Sequence, residues 1–217
     1  IQIPSWLKVT NTHGCIDSIN YPLAYVRENP DASWYTVTTN YCKDSSILFI
    51  NNTISTVASM DSIWWYFQNG ITTNGTNIIT QTETPIVVFN SWGDWNIYLY
   101  YQDEYGCIDI DSSTIEIDNL PNVMFDWENN CANFDSLICF TDNSDTSMGG
   151  NPLYGWDWNF FDGPSGFSSS QNPCYNYPNV SPYLGANLSV SLTVTDILGC
   201  RNDTTLNGIE LWPIPTM

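Results

Sequence analysis

The chain contains very few basic side chains. Four lysines and arginines and one histidine stand against 23 aspartates and glutamates, so the formal net charge is −19 over 217 residues. A surface this negative repels phosphate groups, which argues against a nucleic-acid partner. The composition therefore excludes one large functional class before any motif is considered.

Long apolar runs and helical periodicity are also missing. No stretch approaches the roughly 20 apolar residues that cross a bilayer, so we expect no membrane span in this segment. Apolar residues instead recur at alternate positions in short runs, and aromatic residues make up 15% of the chain. Both features are typical of half-buried β-strands.

The seven cysteines include no Cys-x-x-Cys pair. Zinc sites require clustered ligands, and the single histidine, His13, lies beside Cys15 in a run that is typical of a turn. A Cys–His nucleophile at these two positions is the alternative, but a turn role is the simpler interpretation. Seven cysteines without a metal pattern indicate structural disulfides and hence an oxidising, extracellular compartment.

What the sequence does contain is a repeated phrase. A strand-like run followed by a turn ending in Gly-Cys occurs three times, at residues 7–15, 99–107 and 192–200. Its cysteines, Cys15, Cys107 and Cys200, recur at intervals of about 92 residues, and we call them the turn cysteines. A period this regular predicts tandem domains, each large enough to bury a core.

Proline-bearing junctions follow the turn cysteines at nearly constant distance and suggest where the domains divide. Such short junctions are semi-rigid. Near the start of each complete domain lies a further cysteine, Cys42 in the first and Cys131 in the second, and we call these the leading cysteines. We expect four segments: the last strands of a preceding repeat at 1–29, complete domains at 30–120 and 121–212, and the start of a following junction at 213–217.

Aromatic and acidic residues of the second domain follow an order that resembles a known family. The order is Trp156-Asp157-Trp158, Asp162-Gly163, Asn172-Pro173, Tyr177, and then the alternating run from Val190 to Asp196. It resembles the PKD domain, an immunoglobulin-like β-sandwich, and the resemblance extends over essentially the whole chain. The Gly-Cys turns and proline junctions resemble the tandem PKD arrays of large cell-surface and gliding-type adhesins of Bacteroidota.

The expected fold class is therefore all-β, with tandem immunoglobulin-like, PKD-type antiparallel β-sandwiches. Short strands separated by clusters of Gly, Ser, Thr and Asn fit this architecture. The first domain departs from the family pattern, because Trp65-Tyr66-Phe67 is followed by Gln68-Asn69-Gly70, where the family carries two aspartates.

The positions of the cysteines within the repeats suggest how they pair. Each leading cysteine is expected to bond the turn cysteine of its own domain, which gives Cys42–Cys107 and Cys131–Cys200. The remaining two cysteines of the second domain, Cys139 and Cys174, are expected to form an additional bridge. Cys15 is left unpaired within this segment, with a partner expected in a preceding repeat or in another chain.

Two groups of side chains are candidates for binding. Trp92 on a loop, and Tyr98 and Tyr100 on the outward face of a strand, are possible surface contacts, because exposed aromatic rings stack on sugars or pack on neighbouring chains. Paired carboxylates such as Asp109/Asp111 and Asp142/Asp145 fit either a solvated surface or a structural Ca²⁺ site. Solvated carboxylates are the default interpretation, no particular metal-binding residues are assigned, and no other cofactor is expected.

We expect a non-catalytic structural segment of a large extracellular surface protein, in an adhesin stalk or a surface filament. Its partners would be neighbouring repeats of the same chain, with other chains of a fibre or surface glycans as further candidates. The alternative is an accessory or glycan-binding module of a secreted hydrolase or protease, because PKD domains often accompany such catalytic domains. A further variant inserts residues 1–26 into a neighbouring subunit to build a filament.

Overall fold

The structure, a computed structural model, describes residues 2–56, 58–69, 78–128, 131–132, 138–177 and 186–213. Nearly all regular structure in these residues is β-strand, with one short 3₁₀ turn at Gly163–Ser165. The expected all-β class is confirmed. Within the described part of the chain, no helix has the length and apolar character needed to cross a membrane.

An isolated hairpin and a first sandwich occupy the N-terminal half. The hairpin pairs two antiparallel strands, β1 (Gln2–Thr10) and β2 (Ile16–Tyr25). The strands of the first sandwich are β3 (Trp34–Thr36), β4 (Ser46–Asn51), β5 (Met60–Asn69), β6 (Ile78–Thr80), β7 (Ile86–Val88), β8 (Gly93–Asp103) and β9 (Ile108–Ile117). They form two sheets, in the orders β3-β4-β7 and β6-β5-β8-β9.

The second sandwich repeats this plan in the C-terminal half. Its strands are β10 (Phe125–Trp127), β11 (Cys131–Ala132), β12 (Ile138–Asp142), β13 (Leu153–Asn159), β14 (Phe167–Ser168), β15 (Cys174–Tyr175), β16 (Ala186–Asp196) and β17 (Arg201–Pro213). The sheet orders are β10-β12-β15 and β11-β17-β16-β13-β14. Residues 214–217, which belong to the expected following junction, lie outside the described residues.

Each sandwich has its own core, built from alternate residues of its longest strands. In β8, burial alternates along the whole strand and places Trp95, Ile97 and Leu99 inside. The opposite sheet contributes Phe49, whose ring lies 5.9 Å from Trp65 between centroids. Aromatic pairs of this kind add to the stability that burial of their area provides.

The second core uses the equivalent positions. Val190, Leu192 and Val194 of β16 are fully buried, and Trp158 of β13 packs against Phe125 of the other sheet with ring centroids 5.0 Å apart. The two cores form separate clusters, one within residues 47–117 and one within 123–211. We retain 30–120 and 121–212 as the proposed division into domains.

The ends of the last hairpin mark the two ends of each sandwich. The β8–β9 turn, with Cys107, lies at one end, and Asp118, directly after β9, lies at the other. A parallel bridge joins Asp118 to Cys42, so the leading cysteine lies at the end opposite the turn. The second sandwich has the same arrangement, because Cys131 pairs in parallel with Trp212 near the end of β17.

The stability of the first domain should depend on the inward face of β8. Replacing Ile97, which is fully buried, with alanine should lower the free energy of unfolding by about 2–5 kcal/mol, because the substitution leaves a cavity. Chemical denaturation followed by tryptophan fluorescence measures this change. Ile86→Ala is the matched control, since Ile86 is 69% exposed. Equal losses in the two variants would contradict the assignment of this face to the core.

Candidate functional site: the junction between the sandwiches

The three Gly-Cys turns share one backbone geometry. In the last of them, the Asp196 amide donates to the Cys200 carbonyl at 3.0 Å, and the Gly199 amide donates to the Asp196 carbonyl at 3.0 Å. The same two hydrogen bonds recur in the turns that end at Cys15 and Cys107. The glycine φ angles are +82°, +82° and +90°, the left-handed conformation that closes a hairpin of this type and that glycine adopts without strain.

A side-chain oxygen holds each turn from within. Asp196 Oδ1 accepts the amides of Leu198 and Cys200, both at 2.9 Å, and the residue is 2% exposed. Asp103 makes the equivalent pair of bonds to Tyr105 and Cys107. The result is that every turn cysteine is presented by the same rigid loop.

The first turn uses an asparagine for the same purpose. Asn11 Oδ1 accepts the amides of His13 at 2.9 Å and Cys15 at 3.0 Å. His13 and Cys15 therefore occupy turn positions, as the simpler interpretation of this pair expected. The side-chain oxygen of a neutral amide thus has the role in this turn that a carboxylate oxygen has in the other two turns.

The turn of the second sandwich bonds covalently to the first sandwich. Cys200 forms a disulfide with Cys42, with a Cα–Cα distance of 5.5 Å. Beside it, Asn40 Nδ2 donates a hydrogen bond to the Leu198 carbonyl. On this side of the junction, the segment around the leading cysteine Cys42 of the first domain is joined to the Gly-Cys turn of the second domain.

A second set of contacts closes the other side of the junction. Asn119, directly after the first sandwich, donates through Nδ2 to the Met148 carbonyl at 2.9 Å and through its amide to the Gly149 carbonyl at 3.4 Å. Asn151 Nδ2 donates to Asp118 Oδ1 at 3.0 Å. These bonds fix the loop of residues 147–151 against the end of the first domain.

A tryptophan ring completes this side. A Cβ atom on Gly149 would lie 2.6 Å from Cε3 of Trp92, so the ring packs directly on the glycine backbone. Gly149 also has a φ of +74°. Trp92 is therefore half-buried at the domain junction, which corrects its expected place on an open surface.

The junction is held at two separated points, and this restricts rotation of one sandwich against the other. The disulfide joins residues 158 positions apart in the chain. Closing a loop of that length removes about 5 kcal/mol of unfolded-state entropy in the chain-entropy model. The disulfide thus stabilises the folded pair of domains, in addition to the stability that each domain has from its own core.

The expected pairings Cys42–Cys107 and Cys131–Cys200 are wrong. Ten residues of β9 separate Cys107 from the end of the domain where Cys42 lies, and a strand of that length spans about 30 Å. A disulfide requires Cα atoms within about 7 Å. Cys131 and Cys200 are kept apart in the same way by the longer β17.

The other cysteines have different environments. Cys139 and Cys174 lie opposite each other on β12 and β15 and form a disulfide, the pair that we expected. Cys107 is a half-buried free thiol, and Cys15 is an exposed free thiol. The side chain of Cys131 lies outside the described residues.

The two tyrosines expected on a surface lie on the outer face of β8. Tyr98 is paired across the sheet with Tyr66, and Tyr100 with Trp64, so four half-buried aromatic residues form two adjacent cross-strand pairs. Trp92 belongs to the junction instead. The structure thus separates the three aromatic residues that the sequence grouped together.

Several of the paired carboxylates accept hydrogen bonds from donors of the protein. Asp142 Oδ2 accepts Trp156 Nε1 at 2.7 Å and Gln171 Nε2 at 3.1 Å. Asp109 Oδ2 accepts the Ala32 amide at 2.7 Å. No group of three metal-ligating side chains occurs among the described residues.

The family-like motif of the second domain serves the fold. Trp158 Nε1 donates to the Ser170 carbonyl at 2.9 Å, and Tyr175 donates to Asp162 Oδ2 at 3.3 Å. Burial, with a contribution from Tyr175 and Asp162, raises the pKa of Tyr177 well above its usual range, so this phenol stays neutral. Asp157 forms an exposed ion pair with Arg201 at 2.9 Å.

The junction contacts are what sequence reasoning missed. Asn40, Asn119 and Asn151 lie in polar stretches of the sequence, and their partners are backbone carbonyls or a side chain of the other domain. One sequence signal was present. Gly149-Gly150 interrupts a polar loop, and paired glycines are common where another part of the chain approaches closely.

Comparisons with known proteins give a likeness in fold only. No protein-family model and no curated protein matches the chain. Among solved structures, the PKD1 domain of the Vibrio cholerae metalloprotease PrtV is 20% identical over 42% of this chain and 99% of that domain, with a TM-score of 0.35. The PKD1 domain of Vibrio anguillarum Epp is 17% identical over 42% of this chain and 96% of that domain, also with a TM-score of 0.35.

A longer match is a tetra-tandem repeat in the extending region of a large adhesion protein. It is 15% identical over 96% of this chain and 57% of that one, with a TM-score of 0.33. Identities at this level concern the fold alone. The β-sandwich description of this chain rests on its own strands and registers.

The packing of Trp92 on Gly149 can be tested with a pair of glycine substitutions. Gly149→Ala should lower the melting temperature and loosen the domain pair, because the new methyl group would collide with the Trp92 ring. Gly163→Ala is the matched control, since Gly163 has a similar φ of +71° but nothing within 4 Å of the place that a Cβ atom would take. Small-angle scattering and calorimetry measure the two effects. An equal response of the two variants would show that only backbone strain matters.

The side-chain oxygen of Asp196 should be required for the last turn, whereas its charge should not. Asp196→Asn should cost less free energy of unfolding than Asp196→Ala, because Asn11 holds the equivalent turn with an amide oxygen. Asp196→Ala should cost about 2 kcal/mol or more, since the Leu198 amide and the buried Cys200 amide lose their acceptor. Denaturant unfolding of both variants measures the difference, and a large loss in the asparagine variant would contradict this account.

Proposed function

We propose that the chain is a structural repeat segment of a large extracellular surface protein, as part of an adhesin stalk or filament. The observation that carries this proposal is the Cys42–Cys200 disulfide, which joins two consecutive domains and not two parts of one domain. A bond in that position has a mechanical consequence for a tandem chain.

The disulfide alters the route of a pulling force. Tension applied to the two ends of the chain passes from Cys42 to Cys200 through the sulfur atoms, so the residues between them carry little of it. Both sandwiches lie largely within that bypassed segment. The parts of both sandwiches between Cys42 and Cys200 are therefore shielded from the force, whereas β3 and β17 lie outside the bypass.

The remaining features fit an extracellular role of this kind. Two disulfides are typical of a protein from an oxidising compartment. The net charge of −19 opposes non-specific association between neighbouring chains at low ionic strength. In this proposal the domains do no chemistry, and the gliding-type adhesins of Bacteroidota remain the proposed setting.

Single-molecule pulling should reveal the bypass. In the oxidised chain, held at its two ends, residues 43–199 should release no length. The variant Cys42→Ser/Cys200→Ser should release about 400 Å, because roughly 120 residues become extensible while Cys139–Cys174 still shields its own loop.

Cys15→Ser supplies the control for this measurement, since Cys15 is an exposed free thiol outside the bypassed segment. Its extension should match that of the unmodified chain. If the unmodified chain releases as much length as the double variant, the mechanical role is rejected.

A second candidate function is supported by the aromatic outer face of the first sandwich. Trp64, Tyr66, Tyr98 and Tyr100 lie in adjacent cross-strand pairs, and Ile110 beside them is 49% exposed. Rings on one sheet face can stack on the faces of sugar residues. This surface would give the segment a glycan-binding role in addition to its mechanical one.

A glycan array would test the second candidate. Binding by the unmodified chain that disappears in Tyr98→Ala/Tyr100→Ala would support it. Tyr154→Ala is the control, because Tyr154 is 75% exposed and lies in the second sandwich. Absence of binding, or loss of binding in the control alone, would remove this candidate.

A further inference from the structure

Two turn cysteines of identical local geometry are in different chemical states. Cys200 is fully buried and bonded to Cys42 of the preceding domain. Cys107 is held by the same pair of turn hydrogen bonds, with Asp103 in the role of Asp196, yet it is a half-buried free thiol. The loop that receives a leading cysteine in the second domain is thus present again in the first.

The segment that follows the β1–β2 hairpin contacts the Cys107 turn. Arg27 lies over the ring of Tyr105, with Cζ 3.6 Å from the ring centroid. Arg27 follows Cys15 by as many residues as Asn119 follows Cys107, and Asn119 is a residue that reaches across the observed junction. The segment after the β1–β2 hairpin therefore contacts the first sandwich at the Cys107 turn, and the segment after β9 contacts the second sandwich at the loop of residues 147–151.

The β1–β2 hairpin corresponds to the last hairpin of a sandwich. By alignment of the turns, its Ile3, Leu7 and Val9 occupy the positions of core residues of β8, but here they are 46%, 50% and 56% exposed. A lone two-stranded hairpin is marginally stable in water. In a complete sandwich, the other strands would cover these apolar residues of the hairpin.

We propose that the Cys107 turn is the docking site for the leading cysteine of a sandwich that is completed on the β1–β2 hairpin, and that Cys107 bonds to it as Cys200 bonds to Cys42. The occupant is a domain of the same type, which places its leading segment beside the end of β2. Cys131 has the reciprocal role at the other end of the chain and bonds to the turn cysteine of a following domain. This inference rests on the proposed function, because it makes the interdomain disulfide a repeating link of the array.

The bond requires an oxidant. Two cysteine thiols lose two protons and two electrons as the S–S bond forms. A small-molecule or protein disulfide of the oxidising compartment accepts them and is itself cleaved to two thiols. In this proposal each link joins a leading cysteine to the turn cysteine of the next domain, as Cys42–Cys200 does.

A tandem chain tests the proposal with both cysteines present. Residues 1–214 are joined to residues 30–217, so that Cys131 of the first copy precedes Cys107 of the second copy at nearly the spacing of Cys42 and Cys200. The chain is oxidised with glutathione disulfide, its free thiols are alkylated, and linked peptides are identified by mass spectrometry after digestion without reduction. The expected result is a Cys131–Cys107 link within a monomer, in addition to a Cys42–Cys200 link in each copy.

Two variants identify which Cys107 takes part. Cys107→Ser in the first copy should leave the new link intact, whereas Cys107→Ser in the second copy should abolish it and leave Cys131 of the first copy alkylated. The Cys42–Cys200 links report that the domains have folded. Alkylated Cys107 in both copies of molecules that carry these links overturns the proposal, and so does absence of the Cys42–Cys200 links, because they are its template.

Failure of the proposed Cys131–Cys107 link can be distinguished from failure of the proposed mechanical function. If the Cys131–Cys107 link forms but the pulling experiment shows no shielded length, the connectivity stands and the mechanical role fails. If the length is shielded by Cys42–Cys200 but no Cys131–Cys107 link forms, the mechanical role stands and the repeating connectivity fails.

Discussion

The length of the last hairpin of each sandwich governs how the cysteines of this protein can be connected. Strands β8–β9 and β16–β17 are the longest antiparallel pairs of their domains, and their registers hold the turn at one end and the leading cysteine at the other. A bond between these ends within one domain would have to span the whole sandwich. Between consecutive domains the same two ends meet, and the disulfide forms there.

The same hairpins also supply much of each core. Val194 of β16 is buried, and Asp196, two residues later, holds the turn that presents Cys200. Core packing and the interdomain bond are therefore coupled through one strand. A loss of packing in β16 would shift the turn and, with it, the position of the disulfide.

Polar groups at the junction are mostly neutral, although the chain is strongly acidic. Asn40, Asn119 and Asn151 provide the donors, and their acceptors are carbonyls and the carboxylate of Asp118. Neutral donors avoid the desolvation cost of burying an ion pair between domains. The packing of Trp92 on Gly149 adds apolar contact area without a further charge.

The sequence was sufficient for the features that depend on local pattern. Alternation in β8 and β16 predicted the strands and their inward faces, and the Gly-Cys phrase predicted three equivalent turns. The pairing of Cys42 failed because separation along the chain does not tell which end of a sandwich a residue occupies. Trp92 was misplaced for a related reason, since a loop tryptophan does not show whether a neighbouring domain covers it.

The position of Lys43 next to the Cys42–Cys200 bond has a consequence for proteolysis. Proteases that cut after lysine or arginine have four possible sites in this chain, at Lys8, Arg27, Lys43 and Arg201. A cut after Lys43 would separate residues 1–43 from the rest, but Cys42 belongs to the first piece and Cys200 to the second. The two pieces would remain covalently attached, so a nick at this point would not release the hairpin from the sandwiches.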